Sequence, residues 1–96
     1  MIAVIATLHC TEDNEEHLIS ALKTLQFHSR QEDGCQRYDL LQRKVGKQVE
    51  LILSELWDDE AALEAHFNAG HFNRFTAQAE DIVENTEIRK FDVLED

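Results

Sequence analysis

Proline is absent from this 96-residue chain, glycine occurs three times and cysteine twice. Without a proline-rich, glycine-rich or otherwise low-complexity tract there is no recognisable linker, and the chain reads as one domain spanning 1–96. Cys10 and Cys35 are too few and too far apart for a zinc knuckle or a redox CxxC pair, so both read as free thiols in a reducing compartment. No segment approaches the roughly 18 apolar residues that suggest a membrane span. The opening MIAVIATLHC is too short an apolar run, with no basic flank before it, for a signal peptide. The expectation is a soluble, cytoplasmic protein without membrane contact. Bases are scarce too, nine against twenty acids for a net charge of −11. They stand singly or in pairs such as Arg43-Lys44 and Arg89-Lys90, whereas counterion release from a phosphate backbone needs clustered cations, so nucleic acid is excluded as a partner. GxGxxG, P-loop, GxSxG and HExxH patterns are also missing, which leaves dinucleotide, nucleotide, serine-hydrolase and zincin chemistry without support.

What is present is hydrophobic periodicity. Residues 2–9, IAVIATLH, are apolar on both alternating sets, as in a central strand covered on both faces. Asp13 followed three residues later by Glu16 reads as a capping box, and Leu18, Ala21, Leu22 and Leu25 recur at helical spacing until EDG at 32–34 stops the run. Residues 35–43 form a second strand, the chain turns around Gly46, and VELILSELW at 49–57 forms a third. Asp58 is placed to cap EAALEAHF, Gly70 breaks that helix, and Phe72, Phe75, Ala79, Ile82 and Val83 mark another helical stripe. A strand near 86–94 closes the series. The order β-α-β-β-α-β, with the second helix broken, predicts an α+β ferredoxin-like fold with an antiparallel four-stranded sheet. Its central strands carry apolar side chains on the face away from the helices as well, and at this chain length a partner subunit is the economical cover. A homodimer is therefore expected.

The chemically interesting side chains cluster in ELWDDEAALEAHFNAGHF at 55–72. Period two on the third strand puts Glu55 and Trp57 on one face with Val49, Leu51 and Leu53. A carboxylate there lies either at a solvated strand end or in a cavity where burial raises its pKa and suits it to moving protons. Trp57 reads as core or as a pocket wall. His66 falls on an apolar helical stripe, as either a satisfied core histidine or an acid-base group. His71 reads as exposed; its spacing of five from His66 is not the i, i+4 pair of a metal site, and no third ligand stands at a recognisable interval, so no metal is assigned. His28 reads as bordering a cavity mouth or favouring the C-terminus of the first helix. His9 and His17 read as surface.

SRQEDGCQRYDLLQ at 29–42 and ELWDDEAALEAHFNAGHFNRF at 55–75 resemble the antibiotic biosynthesis monooxygenase (ABM) domain family over nearly the whole chain. The resemblance implies a dimeric α+β barrel with a pocket between sheet and helices in each subunit. It also implies oxidation of quinols or polycyclic phenols by O₂ with no metal or flavin cofactor. Carried over by position, it implies His66 as proton acceptor or donor, Trp57 as pocket wall and hydrogen-bond donor, and Glu55 as orienting partner. Phe72 and Phe75 would shape an aromatic slot, with His28 and Arg74 at its margin. The haem-degrading branch needs other residues where this chain has Thr7, His66 and Thr76, which disfavours that activity. Two alternatives stand beside the monooxygenase reading. One is an isomerase of a phosphorylated autoinducer-type sugar derivative, which would draw on Arg30, Arg37 or Arg74. The other is a non-catalytic small-molecule-binding dimer.

Overall fold

The computed structural model describes residues 1–95. Four strands, β1 (Ile2–Thr11), β2 (Cys35–Val45), β3 (Gln48–Trp57) and β4 (Asn85–Asp92), form one antiparallel sheet in the order β2-β3-β1-β4. A 3₁₀ turn, Glu12–Asn14, leads into α1 (Glu15–Ser29), while α2 (Glu60–Phe67) and α3 (Gly70–Ala79) connect β3 to β4. This is the ferredoxin-like α+β fold, and the two strands that are apolar on both faces, β1 and β3, occupy the centre of the sheet.

The pleat decides which residues form the core. On β1 the even positions Val4, Ala6, Leu8 and Cys10 are buried under the helices, and on β3 the odd positions from Val49 to Trp57 are buried with them. Leu18, Leu22 and Leu25 of α1, Leu63 of α2 and Phe75 of α3 supply the opposing layer. The other face of the sheet has no cover among the described residues. Ile5, Ile52 and Leu56 are half-buried there, and Leu41 and Phe91, which share that face by register, are 52% and 43% exposed.

Three local expectations are corrected. Asp13 and Glu16 form no capping box: the 3₁₀ turn takes up Glu12–Asn14, α1 begins at Glu15, and its N-cap Asn14 makes no side-chain bond. The cap of α2 is Asp59, which accepts from Ala62 N at 2.9 Å; Asp58 instead accepts from Gln36 Nε2 at 2.7 Å and ties the end of β3 to the start of β2. The helix break lies at Asn68 and Ala69, where the extended backbone of Ala69 (φ −73°, ψ 148°) turns the chain, and Gly70 is the first residue of α3.

Two features around the start of β2 position the site. Gly34 has φ +86°, a region costly for other residues, and a Cβ there would meet Ala62 Cβ at 2.6 Å. Only glycine lets α2 pack this closely on the loop that carries Glu32. A β-bulge between Cys35 and Arg37 then inserts one residue into β2, which brings Tyr38 opposite Glu55 on the helix-covered face.

Candidate active site

Glu32, Tyr38, Glu55, Trp57, His66 and His71 form a polar and aromatic cluster between the end of the sheet and the two short helices. They arrive from five parts of the fold: the loop before β2, β2, β3, α2 and α3. Trp57 and Glu55 are adjacent on the same face of β3, and the Trp57 indole Nε1–H donates to Glu55 Oε1 at 3.0 Å. Tyr38 lies edge-on to Trp57, with ring centroids 6.2 Å apart, and His66 leans over Trp57 at 4.6 Å. Trp57, Tyr38, Glu55 and His66 are all buried, none more than 3% exposed.

The carboxylate on His66 is Glu32, where the sequence suggested Glu55. Glu32 Oε2 lies 2.6 Å from His66 Nδ1 and 2.8 Å from His71 Nε2. In the neutral imidazoles both contacts require an N–H at the named nitrogen, so Glu32 selects the tautomer of each ring. His66 Nε2 then keeps its lone pair, and its nearest polar partner is the Tyr38 hydroxyl at 3.5 Å, the outer limit of a hydrogen bond. His71 is therefore no surface residue: its side chain is 17% exposed and shares Glu32 with His66. Within one helix a spacing of five would rotate the two rings about 140° apart. The break at Asn68 and Ala69 removes that constraint and brings the ring centroids to 6.1 Å.

Burial governs the protonation of this cluster. It pushes Glu55 up to about 7, helped by the nearby Glu32 charge and opposed by the Trp57 hydrogen bond. It also lowers His66, against the pull of Glu32, and raises Tyr38, with the Glu55 charge adding to the rise. Cys35 is pushed up to about 11 by burial and then by Glu32 and Glu55, so its thiol stays protonated and unreactive at neutral pH.

A separate apolar cavity of about 660 Å³ lies between the sheet and α3. Ala6, Leu8 and Leu53 form its floor, Phe72, Phe75 and Ala79 one wall, and Val83 and Ile88 another, with Glu80 and Glu84 among the lining residues. Of the side chains singled out in the sequence, Phe72 and Phe75 line this space, while His66, Glu55, Trp57, His28 and Arg74 do not. Phe72 joins the two regions, because its ring meets the His66 ring edge-on at 5.2 Å. His28 stacks on His71 at 5.7 Å, on the outer side of the imidazole pair, and Arg74 is exposed on α3. Sequence reading missed Glu32 and misplaced His71. Glu32 does stand within the family-like stretch SRQEDGC, which was the available signal; nothing in the spacing of His71 revealed its contact.

The model of the antibiotic biosynthesis monooxygenase family matches residues 1–78. The chain is similar to YcnE of Bacillus subtilis, a protein named as a candidate monooxygenase, with 34% identity over 83 residues and 86% of each chain covered. It is also similar to Rv0793 of Mycobacterium tuberculosis, named in the same way, with 32% identity over 82 residues covering 85% of this chain and 79% of that one. The crystal structure of PA3566 from Pseudomonas aeruginosa superposes with a TM-score of 0.87 at 35% identity, covering 98% of this chain and 94% of the other.

Proposed function

Since the chain belongs to the antibiotic biosynthesis monooxygenase family, we propose that it oxidises a quinol or related phenolic molecule with O₂, using neither metal nor flavin. One observation carries this reading: an apolar cavity large enough for a ring system is separated by the single ring of Phe72 from a histidine whose tautomer a carboxylate selects. The chemistry asks the protein for a base, a water-poor pocket and little else. His66 is the base, taking the phenolic proton on Nε2 while Glu32 holds Nδ1–H and steadies the imidazolium that forms. The resulting phenolate gives one electron to O₂, and the radical pair recombines as a peroxide on the ring. The His66 imidazolium returns its proton to that peroxide, and departure of water, which carries away the ring hydrogen of the same carbon, leaves one oxygen atom in the product as a carbonyl. Phe72, in the first turn of α3 beside the break, turns aside to let the bound ring reach His66, and Phe75 remains as the slot wall.

The phosphorylated-sugar reading draws no support from the cavity. Among the described residues no lysine, arginine or histidine lines it, and two carboxylates do. Arg30, expected to serve such a substrate, donates instead to the Tyr38 carbonyl at 3.1 Å and to Asp39 at 3.3 Å. An oxygen electrode separates the readings. Oxygen uptake is expected on adding a reduced quinol to the metal-free protein. Absence of uptake across a panel of quinols and polycyclic phenols, with thermal stabilisation by the same compounds, would make the protein a binder and end the oxygenase reading.

We further propose that two copies pack sheet against sheet through the face that carries Ile5, Leu41, Ile52, Leu56 and Phe91. These apolar side chains lie together on part of a face that is otherwise polar, and an exposed apolar patch of that kind marks an interaction surface. Sedimentation at micromolar concentration should give twice the mass of the chain. A monodisperse particle of monomer mass would remove the dimer.

A further inference from the structure

We propose that Glu32, His66 and His71 form a binding site for one divalent first-row transition-metal ion, with zinc as the test case. The inference goes beyond the monooxygenase reading, whose steps use no ion. One Glu32 carboxylate oxygen and one nitrogen from each imidazole lie within 4.8 Å of one another. A carboxylate with two imidazoles is a donor set that suits zinc, cobalt and iron, and it leaves further coordination positions for water. Two contacts are already as short as 2.6 and 2.8 Å, so an ion replacing the shared protons needs only a small outward movement of each ligand.

The surroundings favour a cation. Among the described residues the Glu32 side chain has no lysine or arginine partner; its hydrogen bonds are to the two imidazoles alone. Neighbouring Arg30 is engaged by Asp39 and the Tyr38 carbonyl. Access comes from one side. His66 is 1% exposed at the inner end, whereas the Glu32 and His71 side chains, at 15% and 17%, border the surface where an ion and its waters would enter. Rigidity is built in, since Gly34 holds the Glu32 loop against α2 and the stacked His28 ring supports His71 from outside. Coordination through Nδ1 would also move the His66 proton to Nε2 and remove the lone pair used in the proposed oxidation, so an ion here would act as an inhibitor.

The test is metal binding itself, read without any activity. Co²⁺ added to the chelator-treated full chain should bind one ion per chain and give visible d–d absorption of a nitrogen- and oxygen-ligated centre, and Zn²⁺ should displace it. His71→Ala, at a part-exposed position, and Glu32→Gln should each weaken binding by about 100-fold or more, circular dichroism confirming that both fold. His9→Ala, which breaks the separate His9–Glu50 pair, should leave binding unchanged. The proposal is overturned if no ion binds at millimolar concentration, or if binding survives His71→Ala with the same affinity. Neither result bears on oxygen uptake by the metal-free protein.

Discussion

Quinol-dependent oxygen uptake is expected to fall by about 10²–10⁴-fold in His66→Ala, the usual contribution of a positioned acid-base group. The reason lies in the pairing seen in the structure. Glu32 accepts from Nδ1 at 2.6 Å, which leaves Nε2 as the proton acceptor, and among the described residues His66 is the imidazole whose ring packs on Phe72. Alanine also opens a hole beside Trp57, whose ring lies 4.6 Å from that of His66, so lost packing could lower activity through lost folding. His66→Gln answers this, because it fills most of the space and can still donate to Glu32 but cannot take a proton near neutral pH. Both variants should lose turnover, with His66→Gln retaining an unfolding midpoint closer to that of the parent. Full activity in a folded His66→Gln protein would remove His66 from the mechanism.

Glu55→Gln should make the protein more stable at pH 8 by up to about 3 kcal/mol, and should change little at pH 4. Glu55 is 3% exposed, and burial pushes it up to about 7 from the ordinary value of 4.5. The folded state therefore holds a proton that the unfolded chain has released between those two values. Stability from this group is complete below about pH 4.5, declines as pH rises, and is fully lost above about pH 7. Glutamine resembles the protonated acid, and its carbonyl can still accept from Trp57 Nε1. Urea unfolding of both proteins from pH 4 to pH 9 should thus give curves that diverge through the window and run parallel above it. Curves parallel throughout would show that Glu55 titrates like a solvated carboxylate. A stabilised variant would also indicate that the buried acid is retained at a cost to stability, as expected of a group kept for chemistry rather than for folding.

The architecture was legible because it rests on local periodicity. Alternation in IAVIATLH and VELILSELW, helical stripes in the segments between them and turn signals at Gly34 and Gly46 are each readable within about ten residues. Glu55 and Trp57 could likewise be placed on one face, since a strand allows no other arrangement for residues two apart. Caps were read less well. Asp58 and Asp59 are equivalent candidates in sequence, and the choice went to Asp59 because Asp58 is held by Gln36 and by the backbone of Gly34.

The pairings of Glu32 with His66 and His71 were not legible at all, because they join residues 34 and 39 positions apart. Glu32 meets His66 only because Gly34 lets α2 approach its loop, and His71 reaches the same carboxylate only because the chain turns at Ala69. Tyr38 faces the cluster through a bulge that no alternation pattern predicts. The sequence by itself determined the strand order, the faces of each element and the surplus of apolar surface on the sheet, all of which follow from the fixed periods of strand and helix. Tertiary structure decided which carboxylate orients which imidazole and that Phe72 stands between His66 and the cavity, since these depend on how elements pack across distances the local periods do not encode.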